Sequence, residues 1–106
     1  MNTLKVAARV HTRYGPISVG GVTFYNVAGE RRCGRVKFLY SADGRSAVAV
    51  DHWERAPIVD IAIGTDVVRY KINDIAEVHP IECLISSVIH SVADDFCTVL
   101  VPPLFR

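Results

Sequence analysis

The sequence predicts an all-β domain, a small distorted or partly open antiparallel β-barrel with at most a short helical turn near residues 80–85. Three observations carry that expectation. Apolar and polar residues alternate at period two in several short runs, as in strands with one buried face. Turn signals at Gly15-Pro16, Asp43-Gly44, Gly64-Thr65-Asp66, Asn73-Asp74 and Asp94-Asp95 separate those runs. Only one stretch, 75–92, is long enough to suggest a helix, and His79-Pro80 interrupts it. About six to eight short strands in one small chain favour a barrel, because closure removes unpaired edges.

The chain opens on a strand over 4–11, where Leu4, Val6, Ala8 and Val10 alternate with Lys5, Ala7, Arg9 and His11. Gly15-Pro16 breaks it, and a second strand follows Gly20-Gly21, with Phe24 and Tyr25 on opposite faces. Residues 26–32 read as a polar turn region. A hairpin comes next. Val36, Phe38 and Tyr40 face inward against Arg35 and Lys37, Asp43-Gly44 reverses the chain, and Val48 and Val50 resume the alternation. That second strand ends at Asp51, His52 and Trp53, and Ala56-Pro57 closes it. Residues 58–63 fit a short strand or a helical turn. Val68, Tyr70 and Ile72 point inward from a strand over 66–72. The run 75–92 reads as a bend followed by a strand, with a helix over 81–90 as the alternative. Phe-Cys-Thr-Val-Leu-Val at 96–101 closes the fold.

The 106 residues suit a single domain, are 50% apolar and carry a formal net charge of +1, which argues against a strongly electrostatic nucleic-acid binder. Three cysteines, Cys33, Cys83 and Cys97, are widely spaced without a Cys-x-x-Cys pair. A disulfide framework and a zinc site are therefore poor readings, and a reducing, intracellular setting fits best. Neither a signal-peptide shape nor a membrane-length apolar run is present in the sequence.

Catalytic signatures are equally lacking: there is no Gly-x-Ser-x-Gly elbow, no His-Glu-x-x-His pair and no glycine-rich phosphate loop with lysine. A cysteine nucleophile beside His79 or Asp51 is a minority reading beside the ordinary burial of thiols in small β domains. The expectation is a non-enzymatic domain without cofactor or metal. His11 and His90 read as rim groups and His79 as a bend residue, which leaves His52, next to Trp53, as the histidine held for function. Trp53 itself has two readings. It is a core residue, or an exposed wall that binds a methylated ammonium by cation–π attraction, with Tyr25, Tyr40 and Tyr70 as companions and Glu54 or Asp51 offsetting the charge. The cluster Arg31, Arg32, Arg35 and Lys37 is a solvated hairpin face, or a surface for phosphates or an acidic partner.

The order of Gly-Arg-Val-Lys-Phe-Leu-Tyr at 34–40, the turn Ser-Ala-Asp-Gly-Arg, the segment 46–57 and the proline-containing run 78–92 resembles the bromo-adjacent homology (BAH) family. A looser similarity reaches the BAH-like tails of transposase-related proteins. That resemblance implies a distorted barrel of BAH or Tudor type in nuclear, chromatin-associated proteins that bind rather than catalyse, some of them reading methylated histone lysines. His52 and Trp53 fall where that family has an aromatic pair, and Arg55 and Pro57 where it has a basic residue and a proline. This chain is shorter, has histidine for one aromatic, and carries an extra residue before its proline. The leading expectation is a protein- or histone-peptide-binding module with Tyr40, His52, Trp53 and Glu54 at its rim. Its alternatives are a nucleic-acid-binding barrel using Arg31, Arg32, Arg35 and Lys37, and a self-associating module forming a homodimer.

Overall fold

The computed structural model describes residues 4–57 and 67–102. Its strands are β1 (Leu4–Ala7), β2 (Arg9–Thr12), β3 (Gly15–Ser18), β4 (Val22–Val27), β5 (Glu30–Ala42), β6 (Arg45–Asp51), β7 (Glu54–Ala56), β8 (Val67–Lys71), β9 (Ala76–Pro80), β10 (Leu84–Ser87), β11 (Ile89–Ala93) and β12 (Phe96–Leu100). The one helical feature among the described residues is a 3-10 turn at Ile81–Cys83, inside the expected 80–85 window. The alternative helix over 81–90 does not form. Its β-branched and serine-rich sequence favours extended backbone, and the chain passes from that turn straight into β10 and, after Val88, β11. The expectations for 58–63 lie outside the described residues.

Every pairing is antiparallel. Six strands form the largest sheet, in the order β10-β4-β5-β6-β9 with β1 beside the far end of β5, while β11-β12-β8-β7 form a second sheet and β2-β3 a small hairpin. The all-β expectation holds, and among the described residues the sheets stay open and pack on one another. Two tight turns set the registers of the long strand. Asp43 (φ 54°) and Gly44 (φ 76°) are both left-handed, as a two-residue hairpin turn requires, and so are Ala28 (φ 52°) and Gly29 (φ 82°). Pairing therefore runs through Val27 opposite Glu30, and the polar region expected over 26–32 is hairpin rather than loop.

β4 lies between two cores. Phe24 and Tyr25 are both fully buried on opposite faces, as the alternation predicts. Phe24 joins Val22, Cys33 and Trp53 against Val68, Tyr70 and Val99 of the second sheet. Tyr25 joins Val36, Leu39, Val48 and Val50 against Ile17 and Leu84.

Two alternations are corrected. The pairing of β5 with β6 shifts register between Val36 and Phe38, a bulge at Lys37. Beyond it Leu39 is buried, whereas Phe38 is 62% exposed. The bulge brings the Lys37 ammonium 3.4 Å from the buried Asp51 carboxylate and 3.1 Å from Asp74, so an ion-paired lysine occupies the position that the period-two reading left to solvent. The opening strand expected over 4–11 is two strands divided at Ala8, and Leu4 and Val6 stay exposed. No helix among the described residues is long and apolar enough to cross a membrane.

Candidate functional site

The corner between β6 and β7, at His52 and Trp53, is held from both sides. On one side Gly34 lets β5 approach closely: a Cβ at that position would lie 1.8 Å from the backbone oxygen of Asp51. The Trp53 amide then donates to Cys33 O at 3.1 Å, and the Tyr25 hydroxyl donates to Asp51 O at 3.0 Å. On the other side Asn73 acts as a clamp. Its Nδ2 donates to His52 O (2.8 Å), its Oδ1 accepts from the Ile75 amide (2.9 Å), and its backbone oxygen accepts from Trp53 Nε1 (3.0 Å). The His52 amide donates to Ile75 O at 3.1 Å, which completes the frame.

Glu77, on β9, gathers three cationic or imidazole groups. Its Oε2 accepts from Arg32 Nη1 and His79 Nε2, each at 2.7 Å, and its Oε1 accepts from His52 Nδ1 at 3.2 Å. A carboxylate only accepts, so both contacting imidazole nitrogens carry protons. The hydrogen bond from His79, with Arg32 and His52 beside it, holds the Glu77 carboxyl below its ordinary range, against the opposing effect of desolvation. Stability drawn from a lowered carboxyl is present above the unfolded-state pKa and is lost as pH falls through the folded-state value. Glu77→Gln is therefore expected to cost about 1–2 kcal/mol at neutral pH, the scale of charge-assisted hydrogen bonds discounted for partial exposure. It should also flatten the loss of stability below pH ~4.5. Urea melts of both proteins from neutral to acid pH check this, and parallel acid profiles would refute it.

Beside this corner lies a groove of about 580 Å³. It is lined by Glu30, Arg31 and Arg32 at the start of β5, by His52, Glu54 and Arg55 at the corner and β7, and by the buried Trp53 and Tyr70. Three of the four residues expected at a peptide-binding rim thus share one groove. Tyr40 does not. It pairs with Ala47, five positions before His52 along β6, so about 16 Å separates it from the corner.

The expectation of an exposed indole is corrected. Trp53 is 2% exposed, with its ring packed in the core and its N–H turned inward to Asn73. The Arg35 guanidinium already sits 5.8 Å from the ring centroid. Of the tyrosines considered as companions, Tyr70 alone shares the groove; Tyr25 is buried in the other core, and Asp51 is buried against Lys37. The basic cluster divides as well. Arg31 and Arg32 both line the groove but point to opposite faces of β5: Arg31 lies over the Phe24 ring, Arg32 is paired with Glu77 and lies 3.7 Å from Glu30, Arg35 covers Trp53, and Lys37 is held by Asp51 and Asp74.

Burial raises all three thiols, Cys83 up to about 11 and Cys33 further still, so none is a ready thiolate at neutral pH. Sequence reasoning missed Asn73 and Glu77, having read the first as a turn residue and passed over the second. Glu77 was within reach: Glu77 and His79 are two apart in an extended segment and so lie on one face. Searches against known protein families, curated proteins and solved structures return no match to this chain.

Proposed function

We propose that this is a non-enzymatic protein-interaction module that holds an extended peptide segment in the groove beside His52 and Trp53. The observation that carries the reading is the pattern of charge on a rigid frame. Glu30, Arg31 and Arg32 of β5 and Glu54 and Arg55 of β7 line the groove, so its lining carries both signs of charge around the buried Trp53 and Tyr70. A polypeptide bearing both signs of charge complements such a lining, whereas a phosphate backbone would also meet the carboxylates of Glu30 and Glu54. The clamp at Asn73 and the bonds at Glu77 fix the lining before a ligand arrives, which lowers the entropic cost of binding.

A chromatin setting and histone-tail ligands belong to this proposal through the BAH-like order of features. A methylammonium cage draws no support from the groove, because the indole is buried and Arg35 lies over it. The peptide reading therefore expects affinity that is indifferent to lysine methylation.

The test follows the emission of Trp53, the single tryptophan, during titration with histone-tail peptides, methylated and unmethylated, an alternating Glu-Lys peptide and a short DNA duplex. Peptide binding weakened about ten-fold or more by Arg55→Glu, the scale of ~1.4 kcal/mol, supports the reading. Arg55 suits the purpose because it is exposed and forms no ion pair among the described residues. Duplex binding tighter than any peptide, falling steeply with salt, would replace it with the nucleic-acid alternative.

A further inference from the structure

We infer that the outer face of the β1-β5-β6-β9 sheet is a docking surface for a second copy of this chain. Residues opposite one another in an antiparallel ladder share a face, so the registers define its rows. One row is Val6, Tyr40, Ala47 and Pro80, and the next is Phe38, Ala49 and Val78. Neither row carries a charged side chain, and the Tyr40 hydroxyl is their one polar group. Val6 is 75% exposed, Phe38 62% and Val78 62%, and Leu4, in phase with Val6, is 67% exposed. The same sheet is covered on its other face by the core around Tyr25 and Leu39, and its β4 end packs against the second sheet. What stays open on this sheet is an apolar surface around Leu4, Val6, Phe38 and Val78.

A second copy fits this surface better than an unrelated partner because the face complements itself. Along β6 the positions in phase with this face run Arg45, Ala47, Ala49 and Asp51; Arg45 is exposed at one end, while at the other Asp51 is buried beneath its ion pair with Lys37. At the Asp51 end, Asp74 adds a second carboxylate, 91% exposed, against the one ammonium of Lys37. A two-fold axis in the plane of contact and perpendicular to the strands lays face on face and reverses strand direction. It brings Arg45 of each copy toward Asp74 of the other, with the apolar rows stacked between them, as in aligned sheet packing. The formal net charge of +1 offers little long-range repulsion between copies.

Size sets the strength. Four strands spaced ~4.8 Å apart, over about seven residues of ~3.3 Å each, give a footprint on the order of 400 Å² per copy. That is about half the ~800 Å² per partner of a standard interface, so the dimer is weak and concentration-dependent. It uses a different surface from the peptide groove, and either can stand without the other.

Sedimentation equilibrium of the whole chain from about 10 to about 500 µM tests this, the range in which so small an interface is expected to dissociate. The wild type is expected to pass from monomer toward dimer. Phe38→Glu, on a side chain outside both cores, should remain monomeric throughout with an unchanged circular dichroism spectrum. Arg45→Glu should weaken the dimer, and more so at low salt, because it faces like charge. Ile89→Glu, on the free outer strand β11 and 73% exposed in the wild type, should leave association unchanged. A wild type monomeric at every concentration, or a dimer that survives Phe38→Glu or is lost with Ile89→Glu, overturns the proposal.

Discussion

Gly34→Ala is expected to destabilise the fold by about 3 kcal/mol or more, the upper end of overpacking costs, because its contact is with backbone rather than with a side chain that can turn away. The added methyl would stand 1.8 Å from Asp51 O and 2.6 Å from Asp51 C. Relief requires the end of β6 to move off β5. That movement would stretch the bond from the Trp53 amide to Cys33 O and the bond from the Tyr25 hydroxyl to Asp51 O, both of which cross this approach. Gly44→Ala is the matched control. Its φ of +76° is strained for a side chain, but nothing lies within 4 Å of the added Cβ, so a loss of only about 1 kcal/mol is expected. Urea denaturation of the three proteins measures the difference, and equal midpoints for the two variants would show that the close approach at Gly34 is not what holds the corner.

Trp53→Ala is expected to cost about 3–5 kcal/mol, the range for removing a buried aromatic side chain. The indole lies in the cluster shared by the two sheets, and its removal opens a cavity between Phe24, Val68 and Tyr70. It also leaves the Asn73 carbonyl without its donor. Trp53→Phe keeps most of the packing and loses that bond, so about 1–2 kcal/mol is expected. A loss below about 1 kcal/mol for Trp53→Ala would place the indole outside the core. The size of the effect also governs how binding is dissected: a lost ligand in Trp53→Ala reports a lost fold, whereas Arg55→Glu alters the groove lining alone.

Much of the strand content was legible because its signals are local. The alternation Val68-Tyr70 and the reversal at Asp43-Gly44 need only side-chain period and positive φ, and both are found where expected. The bulge at Lys37 was not legible. It accompanies ion pairs of Lys37 with Asp51 and Asp74, far along the chain, that nothing in Val-Lys-Phe-Leu announces. The split of the opening run at Ala8 is similar: the Val19 amide donates to Ala8 O at 2.9 Å, a contact made only after folding.

For the candidate site, the sequence singled out His52, Trp53 and Glu54, since an aromatic and an imidazole at a strand end are visible as composition. It grouped Tyr40 with them because both lie on one hairpin, although distance along a strand separates them. It kept together four basic residues that the sheet sends to different partners: Arg31 to Phe24, Arg32 to Glu77, Arg35 to Trp53, and Lys37 to Asp51 and Asp74.

The sequence by itself determined the class of this fold, the turns at Asp43-Gly44 and Asp94-Asp95 and the opposed faces of Phe24 and Tyr25, because period and turn chemistry act within a few residues; the break expected at Gly15-Pro16 falls instead inside β3, whose hairpin turns at Arg13-Tyr14. Tertiary structure alone decided that Trp53 is buried under Arg35, that Asn73 and Glu77 hold the corner, and that Phe38 and Val78 share an uncovered face. Each of those outcomes depends on which strands pair and in what register. Register arises from summed burial and ion pairing across the whole sheet, and no single segment encodes it.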